Sequence, residues 1–166
     1  MPRYSETEGA VTLSILERLT DLEPKSQAPE VPLSRAQSLR TLRQSLRRDL
    51  EWLLNSRRGP IEIPESFTET QRSLMAYGLP DLSSLTVQSA NDQARLVRGL
   101  EQAISVFEPR LTSVKVSLAP VTPGSRLLRF VIEAMLKIDP APEHITFDTM
   151  LELNSGEYAV KGDGRE

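Results

Sequence analysis

The sequence predicts an α+β fold, in which an antiparallel meander of three to four β-strands packs against two longer α-helices, with a short N-terminal helix before them. Apolar residues recur at spacings of three and four along two stretches, residues 34–58 and residues 89–108. From Leu111 onward the period changes to two, and short apolar runs are separated by turns rich in proline and glycine. Helices followed by strands that turns connect favour this class over a parallel α/β sheet.

The first predicted element is a short amphipathic helix within residues 11–22, where Leu13, Leu16 and Leu19 share one face. We expect it to end at Pro24. Residues 23–32 contain three prolines among polar residues, which is typical of an extended linker. Two roles remain open for this helix: an arm that docks on a partner, or a helix that folds back on its own domain.

The second element is a long helix that begins after Ser34 as its N-cap and is expected to end at Gly59 and Pro60. Its buried stripe consists of leucines at spacings of three and four, namely Leu39, Leu42, Leu46, Leu50 and Leu53. Its polar side carries Arg40, Arg43, Arg47 and Arg48. Such a basic face is commonly a solvated surface, and it is equally suited to gripping acidic protein surfaces through paired hydrogen bonds.

Two further helices are predicted before the strands begin. Residues 70–76 have the pattern of a short helix, and residues 77–81 that of the turn after it. Ser89, with Asp92 three residues later, is the expected N-cap of a longer helix that Pro109 ends. The inner face of this helix is predicted to contain Val97, Leu100, Ile104 and Phe107.

The strand region alternates apolar and polar residues in four runs. One side of the first run carries Val114, Val116 and Leu118, and one side of the second carries Phe130, Ile132, Ala134, Leu136 and Ile138. The third run contains Ile145, Phe147, Thr149, Leu151 and Leu153, and a hairpin at residues 154–156 leads to a short last strand around residues 158–160. We expect an edge of this meander to be free, so that its backbone groups can accept a strand from another chain.

Composition and motifs give little support for catalysis. The chain has no cysteine and a single histidine, His144, and it contains no glycine-rich phosphate loop or metal-ligand pattern. Glu101 and Glu108 are the acid pair most worth testing for glycoside hydrolysis, but seven helical residues separate them by about 10.5 Å. Residues 34–58 hold seven arginines against two acids, while the whole chain has a net charge of −3. That imbalance suits protein partners better than nucleic acid.

Three stretches together resemble one known family. Residues 38–58 are similar to the basic helix of the TssE family of type VI secretion baseplate subunits, and residues 77–82 to the turn that follows it. Residues 107–111 contain the Glu-Pro-Arg signature that this family shares with the wedge proteins of contractile phage baseplates. Weaker similarity covers residues 13–19 and 147–153. The family also bears a "lysozyme-like" label, which the spacing of the acids does not support.

The resemblance implies a structural baseplate component without enzymatic activity, cofactor, metal or small-molecule substrate. It would bind the TssF and TssG wedge subunits and help to nucleate and anchor the contractile TssB/TssC sheath, with TssK as a further candidate partner. A cell-wall glycosidase and a nucleic-acid binder that uses the arginine-rich helix are the alternatives. The chain is expected to be cytoplasmic, because its first residues are polar and acidic. The resemblance implies a position at the cytoplasmic side of the inner membrane, without insertion into it.

Seven residues are predicted to bind partners: Glu108, Pro109, Arg110, Arg40, Arg43, Arg47 and Arg48. Pro109 fixes the chain at a helix-to-strand junction, so Glu108 is expected to accept hydrogen bonds from the wedge and Arg110 to donate them. The expected organisation is an N-terminal helix and proline-rich linker over residues 1–32, a wedge domain over residues 33–161, and a disordered tail over residues 162–166.

Overall fold

The computed structural model describes residues 11–20, 33–80, 89–120, 125–153 and 155–162. The helices are α1 (Ile15–Leu19), α2 (Arg35–Asn55), α3 (Thr68–Gln71) and α4 (Ala90–Phe107), with a 3₁₀ turn at Leu74–Ala76. The strands are β1 (Leu111–Leu118), β2 (Leu127–Leu136), β3 (Glu143–Glu152) and β4 (Tyr158–Lys161). This is the predicted α+β fold, with a short N-terminal helix and two long ones.

The four strands form one antiparallel sheet in the order β1-β2-β3-β4, as expected for a meander. The pairing of β2 with β3 is regular from Leu127↔Glu152 to Leu136↔Glu143. The pairing of β1 with β2 is interrupted between Thr112 and Lys115, where Ser113 has a φ of 52°. The alternating sequence pattern did not indicate this bulge, which bends the edge strand and increases its twist.

The core lies between the apolar face of the sheet and the two long helices. Leu46, Leu50 and Leu54 of α2 and Ile104 of α4 are completely buried, as are Ile132 and Leu136 of β2. Burial of one such side chain stabilises the fold by about 1.5–3 kcal/mol. The predicted inner face of α4 is correct at Leu100 and Ile104, but it is turned slightly, because Leu96 is buried and Val97 only partly so.

Helix α2 begins as predicted, with a capping box between Ser34 and Gln37, but it ends at Asn55 rather than at Gly59. The reason is a tertiary contact. The chain becomes extended at Ser56, whose carbonyl accepts a hydrogen bond from the Leu79 N–H at 2.8 Å, and the Arg58 N–H donates to the Leu79 carbonyl at 3.0 Å. These bonds replace the helical hydrogen bonds that the last residues would have made.

Three other boundaries differ from the prediction. The single helix expected over residues 70–76 is divided into α3 and the 3₁₀ turn, because the Ser73 hydroxyl accepts from the Met75 N–H and caps a new turn. Strand β3 ends at Glu152, so Leu153 lies outside it and is exposed. Helix α1 spans five residues and ends before Thr20. The whole proline-rich linker, residues 23–32, and all of the tail except Gly162 lie outside the described residues.

The N-terminal segment rests against α2. The Val11 N–H donates to the Ser38 hydroxyl at 3.0 Å, and the Glu17 carboxylate pairs with Arg48 at 2.8 Å. Val11 and Leu13 pack against the core, whereas Ile15 and Leu19 of α1 are 73% and 79% exposed. The segment therefore folds back on its own domain through Val11, Leu13 and Glu17, whereas Leu16 and Leu19 of the predicted leucine face are exposed.

Candidate partner-binding surface

The Glu-Pro-Arg motif lies at the junction between α4 and β1. Glu108 is the C-cap residue of α4, with its N–H bonded to the Ile104 carbonyl at 2.9 Å, and Pro109 prevents another turn of helix. The Leu111 N–H donates to the Glu108 carbonyl at 3.1 Å as the strand begins. The junction is thus fixed by backbone bonds on both sides, as the sequence predicted.

The two charged side chains of the motif bind each other. Arg110 Nε donates to Glu108 Oε1 at 2.6 Å, its Nη2 donates to Oε2 of the same carboxylate, and its backbone N–H also reaches Oε1 at 3.2 Å. The Glu108 side chain is 6% exposed and the Arg110 side chain 25%. The sequence predicts that both charges face a partner. In the structure, however, the Glu108 carboxylate faces Arg110 and not solvent. A two-point pair of this kind is among the strongest side-chain interactions.

Arg110 continues into a chain of alternating charges. Its Nη2 also binds Asp49 Oδ2 at 2.7 Å, Arg48 binds Asp49 Oδ1 at 3.0 Å, and Arg48 in turn binds Glu17. Burial lowers the pKa of Arg110, but the hydrogen bonds that its guanidinium donates to Glu108 and Asp49 outweigh burial and raise the pKa overall. The chain connects α1, α2 and the α4–β1 junction, and Asp49 stands at its centre although the sequence did not single it out.

The four arginines predicted on α2 are not equivalent. Arg43 pairs with Glu143 of β3, and Arg48 belongs to the charge chain and lies over the Trp52 ring at 5.5 Å from its centroid. Arg40 and Arg47 are exposed, and their side chains have no ion pair or hydrogen bond within the described part of the chain. Only these two present unengaged guanidinium groups among the four. Trp52, which lies next to Arg48 rather than beside these two, is 59% exposed.

The free edge of β4 is occupied at one position. Strand β4 is the last strand of the sheet, and the Glu152 N–H donates to the Glu157 carbonyl at 2.9 Å. The backbone N–H and C=O of Glu157 therefore face β3, and those of Tyr158 face away from it. The Asn55 side chain accepts from the Tyr158 N–H and donates to the Tyr158 carbonyl, each at 2.8 Å. This contact could not be predicted from the sequence, because nothing distinguishes Asn55 from any other polar residue at the end of a helix.

The acids considered for glycoside hydrolysis both have structural partners. Glu101 accepts a hydrogen bond from the Val116 N–H of β1 at 2.9 Å, and Glu108 is held by Arg110. His144 is exposed on β3. Among the residues that the structure describes, no three acidic, histidine or cysteine side chains come together as metal ligands. No helix in the described ranges is long and apolar enough to cross a membrane.

Comparison with known families finds one family whose model matches both the basic helix and the Glu-Pro-Arg junction. The model of one family, described as baseplate wedge protein gp25, matches residues 40–141, which is more than half of the chain. The chain belongs to the baseplate wedge protein gp25 family. The matched range contains most of α2, all of α4 and the Glu-Pro-Arg junction, whereas α1, β3 and β4 lie outside it. Comparison with individual curated proteins gives no match.

Membership of the gp25 family gives the chain a structural role in a baseplate, which is carried out through contacts with other proteins. The surface described above is consistent with that role in two respects. It has rigid elements, a long helix and a proline-fixed junction, and it carries charged groups in defined positions. The alternating charge chain fixes the junction from within, while Arg40, Arg47 and Trp52 face outward.

Proposed function

We propose that the chain is the TssE-type subunit of a type VI secretion baseplate, which binds the TssF and TssG wedge subunits and helps to nucleate and anchor the TssB/TssC sheath. TssK is a further candidate partner, and the site of action is the cytoplasmic side of the inner membrane. The resemblance of residues 38–58 and 77–82 to the TssE family supports the type VI system over a phage baseplate, whereas the Glu-Pro-Arg signature is shared by both. The role involves no catalysis and no cofactor.

The observation that carries the proposal is the outer face of α2. Arg40 and Arg47 are two helical turns apart, at about 10.5 Å along the axis, and therefore point to the same side. Both are exposed and unengaged within the described residues, although they belong to a helix whose other face is fully buried. Guanidinium groups on a rigid helix can bind carboxylates of a wedge subunit with two parallel hydrogen bonds and a small loss of entropy.

The Glu-Pro-Arg junction is the second part of the proposed wedge contact. Pro109 is exposed and Arg110 keeps a quarter of its side chain accessible, so these two residues touch the TssF and TssG helices directly. Glu108 contributes by holding the guanidinium of Arg110 in one orientation. Arg43 and Arg48, which are bound to Glu143 and Asp49, hold the face of α2 in place beside the contact.

Charge reversal on α2 tests the proposal. We expect Arg40→Glu with Arg47→Glu to reduce co-purification of TssF and TssG at least about tenfold, while the free energy of unfolding changes by no more than about 0.5 kcal/mol, as is usual for surface substitutions. Arg98→Glu is the matched control, because Arg98 is exposed on α4, outside the proposed contact, and undergoes the same charge reversal. Equal recovery of TssF and TssG by the folded double variant would reject this face as the wedge contact.

We place the sheath contact at the β4 edge of the sheet. The backbone groups of Tyr158 and Val160 point away from β3, which is the direction from which an added strand would pair. An extended segment of TssB or TssC bound there would continue the sheet into the first sheath ring. The wedge and sheath contacts would then use separate elements, the helices for one and the strand edge for the other.

A further inference from the structure

The Asn55 amide imitates one residue of a neighbouring strand. In an antiparallel pair, a residue that faces its neighbour donates one N–H and accepts at one C=O. Asn55 makes both of these bonds to Tyr158, each at 2.8 Å, from the last residue of α2. Its Nδ2 also donates to the Glu51 carbonyl at 2.9 Å, which orients the amide. The pairing position at Tyr158 is therefore filled by a side chain of the same molecule.

The position that Asn55 fills is at the surface. Tyr158 is 2% exposed and Val160 4%, because their side chains point into the core and Asn55 covers the outward backbone of Tyr158. Asn55 itself is exposed. Rotation of this one side chain into solvent would free both Tyr158 backbone groups from their hydrogen bonds to α2.

The opposite edge of the sheet is covered in a different way. Glu101 of α4 accepts from the Val116 N–H of β1, but a carboxylate has no donor for the Val116 carbonyl. Strand β1 also carries the bulge at Ser113, and bulges make an edge a poor template for another strand. Asn55 therefore covers the edge that is regular in its pairing, and it does so with both bonds.

From these contacts we infer that Asn55 is a displaceable guard on a strand-binding site at Tyr158. The ligand is an extended peptide segment whose backbone N–H and C=O replace the two hydrogen bonds that the Asn55 amide makes to Tyr158. The inference rests on the proposed strand addition to β4. Displacement costs little free energy, because two amide hydrogen bonds are exchanged for two others of the same kind. In the free subunit, Asn55 keeps two copies from pairing edge to edge.

Hydrogen exchange of the free chain tests the guard itself. In Asn55→Ala, exchange of the Tyr158 amide should accelerate about tenfold or more, which corresponds to loss of a bond of about 1.4 kcal/mol, while the β2–β3 amides keep their rates. Gln44→Ala is the control on the same helix. If Tyr158 stays equally protected in Asn55→Ala, something other than Asn55 covers the edge and the inference is wrong.

Binding of a purified TssB–TssC heterodimer tests displacement. We expect Asn55→Ala to bind at least threefold more tightly than the unaltered chain, because no guard has to be removed. If the variant unfolds, Asn55→Asp serves instead, since its carboxylate still accepts from the Tyr158 N–H but frees the carbonyl. Unchanged or weaker binding by a folded variant overturns the inference.

A third measurement separates this inference from the proposed function. If the heterodimer binds neither the variant nor the unaltered chain, the sheath contact is wrong. The guard is then judged by sedimentation of the free chain. Concentration-dependent dimers of Asn55→Ala, with monomers of Gln44→Ala, support the inference, and monomers of both variants overturn it.

Discussion

At the scale of single residues, the Glu108–Arg110 pair shows how one motif serves structure and binding together. Glu108 is buried and would be an unpaired charge without Arg110, since its carboxylate has no other partner in the described residues. Removal of one member of a buried ion pair costs more than the pair contributes, because the other charge stays behind in a poor solvent. The motif is therefore required for folding whatever it touches outside.

This argument gives the first prediction. Arg110→Ala should lower the free energy of unfolding by about 3 kcal/mol, because the buried Glu108 carboxylate loses its charge partner and Asp49 keeps only Arg48. Urea denaturation measures the loss. Arg110→Lys is the control and should recover only part of it, since an ammonium cannot make the two parallel bonds. A loss below about 1 kcal/mol for Arg110→Ala would mean that the pair is dispensable for folding and that the motif serves binding alone.

Tyr158 carries a different residue-scale prediction. Its hydroxyl is buried and has no hydrogen-bond partner among the described residues, and burial raises the pKa of Tyr158 above its ordinary value, although Arg57 lowers it in part. A raised pKa means that the folded state holds the proton more tightly than the unfolded state. Stability should therefore fall as pH rises above about 10, where the unfolded tyrosine ionises first.

Tyr158→Phe should remove this part of the alkaline loss and leave stability at pH 7 unchanged, or higher by about 1 kcal/mol, because an unsatisfied hydroxyl leaves the core. Thermal unfolding at pH 7 and at pH 10.5 measures both effects. Tyr77 is present in both the unaltered chain and this variant, and it serves as an internal comparison. Its pKa is also raised, by burial and by the nearby Asp49 and Glu108. An alkaline loss of the same size in Tyr158→Phe would show that Tyr158 does not cause it.

At the scale of elements, the C-terminal end of α2 depends on Gly78, which lies 23 residues after Asn55. Gly78 has a φ of 98°, and a Cβ atom there would lie 2.4 Å from the Ser56 carbonyl oxygen, which accepts from Leu79. Gly78→Ala should thus destabilise the chain by about 2 kcal/mol or more, because of backbone strain and this clash. Gly59→Ala, with open space around the new methyl group, should change stability by less than about 1 kcal/mol. Calorimetry of the two variants decides, and equal effects would contradict the argument.

The same element shows what sequence alone could and could not predict. The N-cap of α2 and its leucine stripe were predictable, because both depend on neighbours within one helix. Its end was not, since the bonds between Ser56 and Leu79 are tertiary. For the same reason the motif at residues 108–110 could be found by its proline and its charges, but the pairing of Arg110 with Asp49 across 61 residues could not. The bulge at Ser113 likewise leaves no mark on an alternating pattern.

At the scale of the whole molecule, the fold is organised around one sheet that two helices cover on one face. Among the described residues of the N-terminal segment, Val11, Leu13 and Glu17 contact this unit. We therefore expect residues 33–161 to fold without residues 1–32, which keeps the proposed division of the chain. A chain that begins at Leu33 should lose about 2 kcal/mol, from one backbone hydrogen bond, one partly exposed ion pair and some apolar packing.

Circular dichroism with urea denaturation checks this expectation, and Glu17→Gln in the full chain isolates the share of the ion pair. The truncated chain should also still capture TssF and TssG if the wedge contact lies on α2 and the α4–β1 junction. A truncated chain that does not fold would show that the N-terminal segment is part of the domain rather than an addition to it.

The contact between Asn55 and Tyr158 also bears on the order in which the chain acquires its structure. The two residues are 103 positions apart, whereas each strand of the meander pairs with its immediate neighbour in sequence. Local pairings form sooner than distant ones, so a growing or refolding chain completes the sheet before α2 closes over its last strand. During that interval the edge is bare. Crowded refolding should therefore lose material through this strand, and the yield should depend on concentration at early times, before the helix arrives.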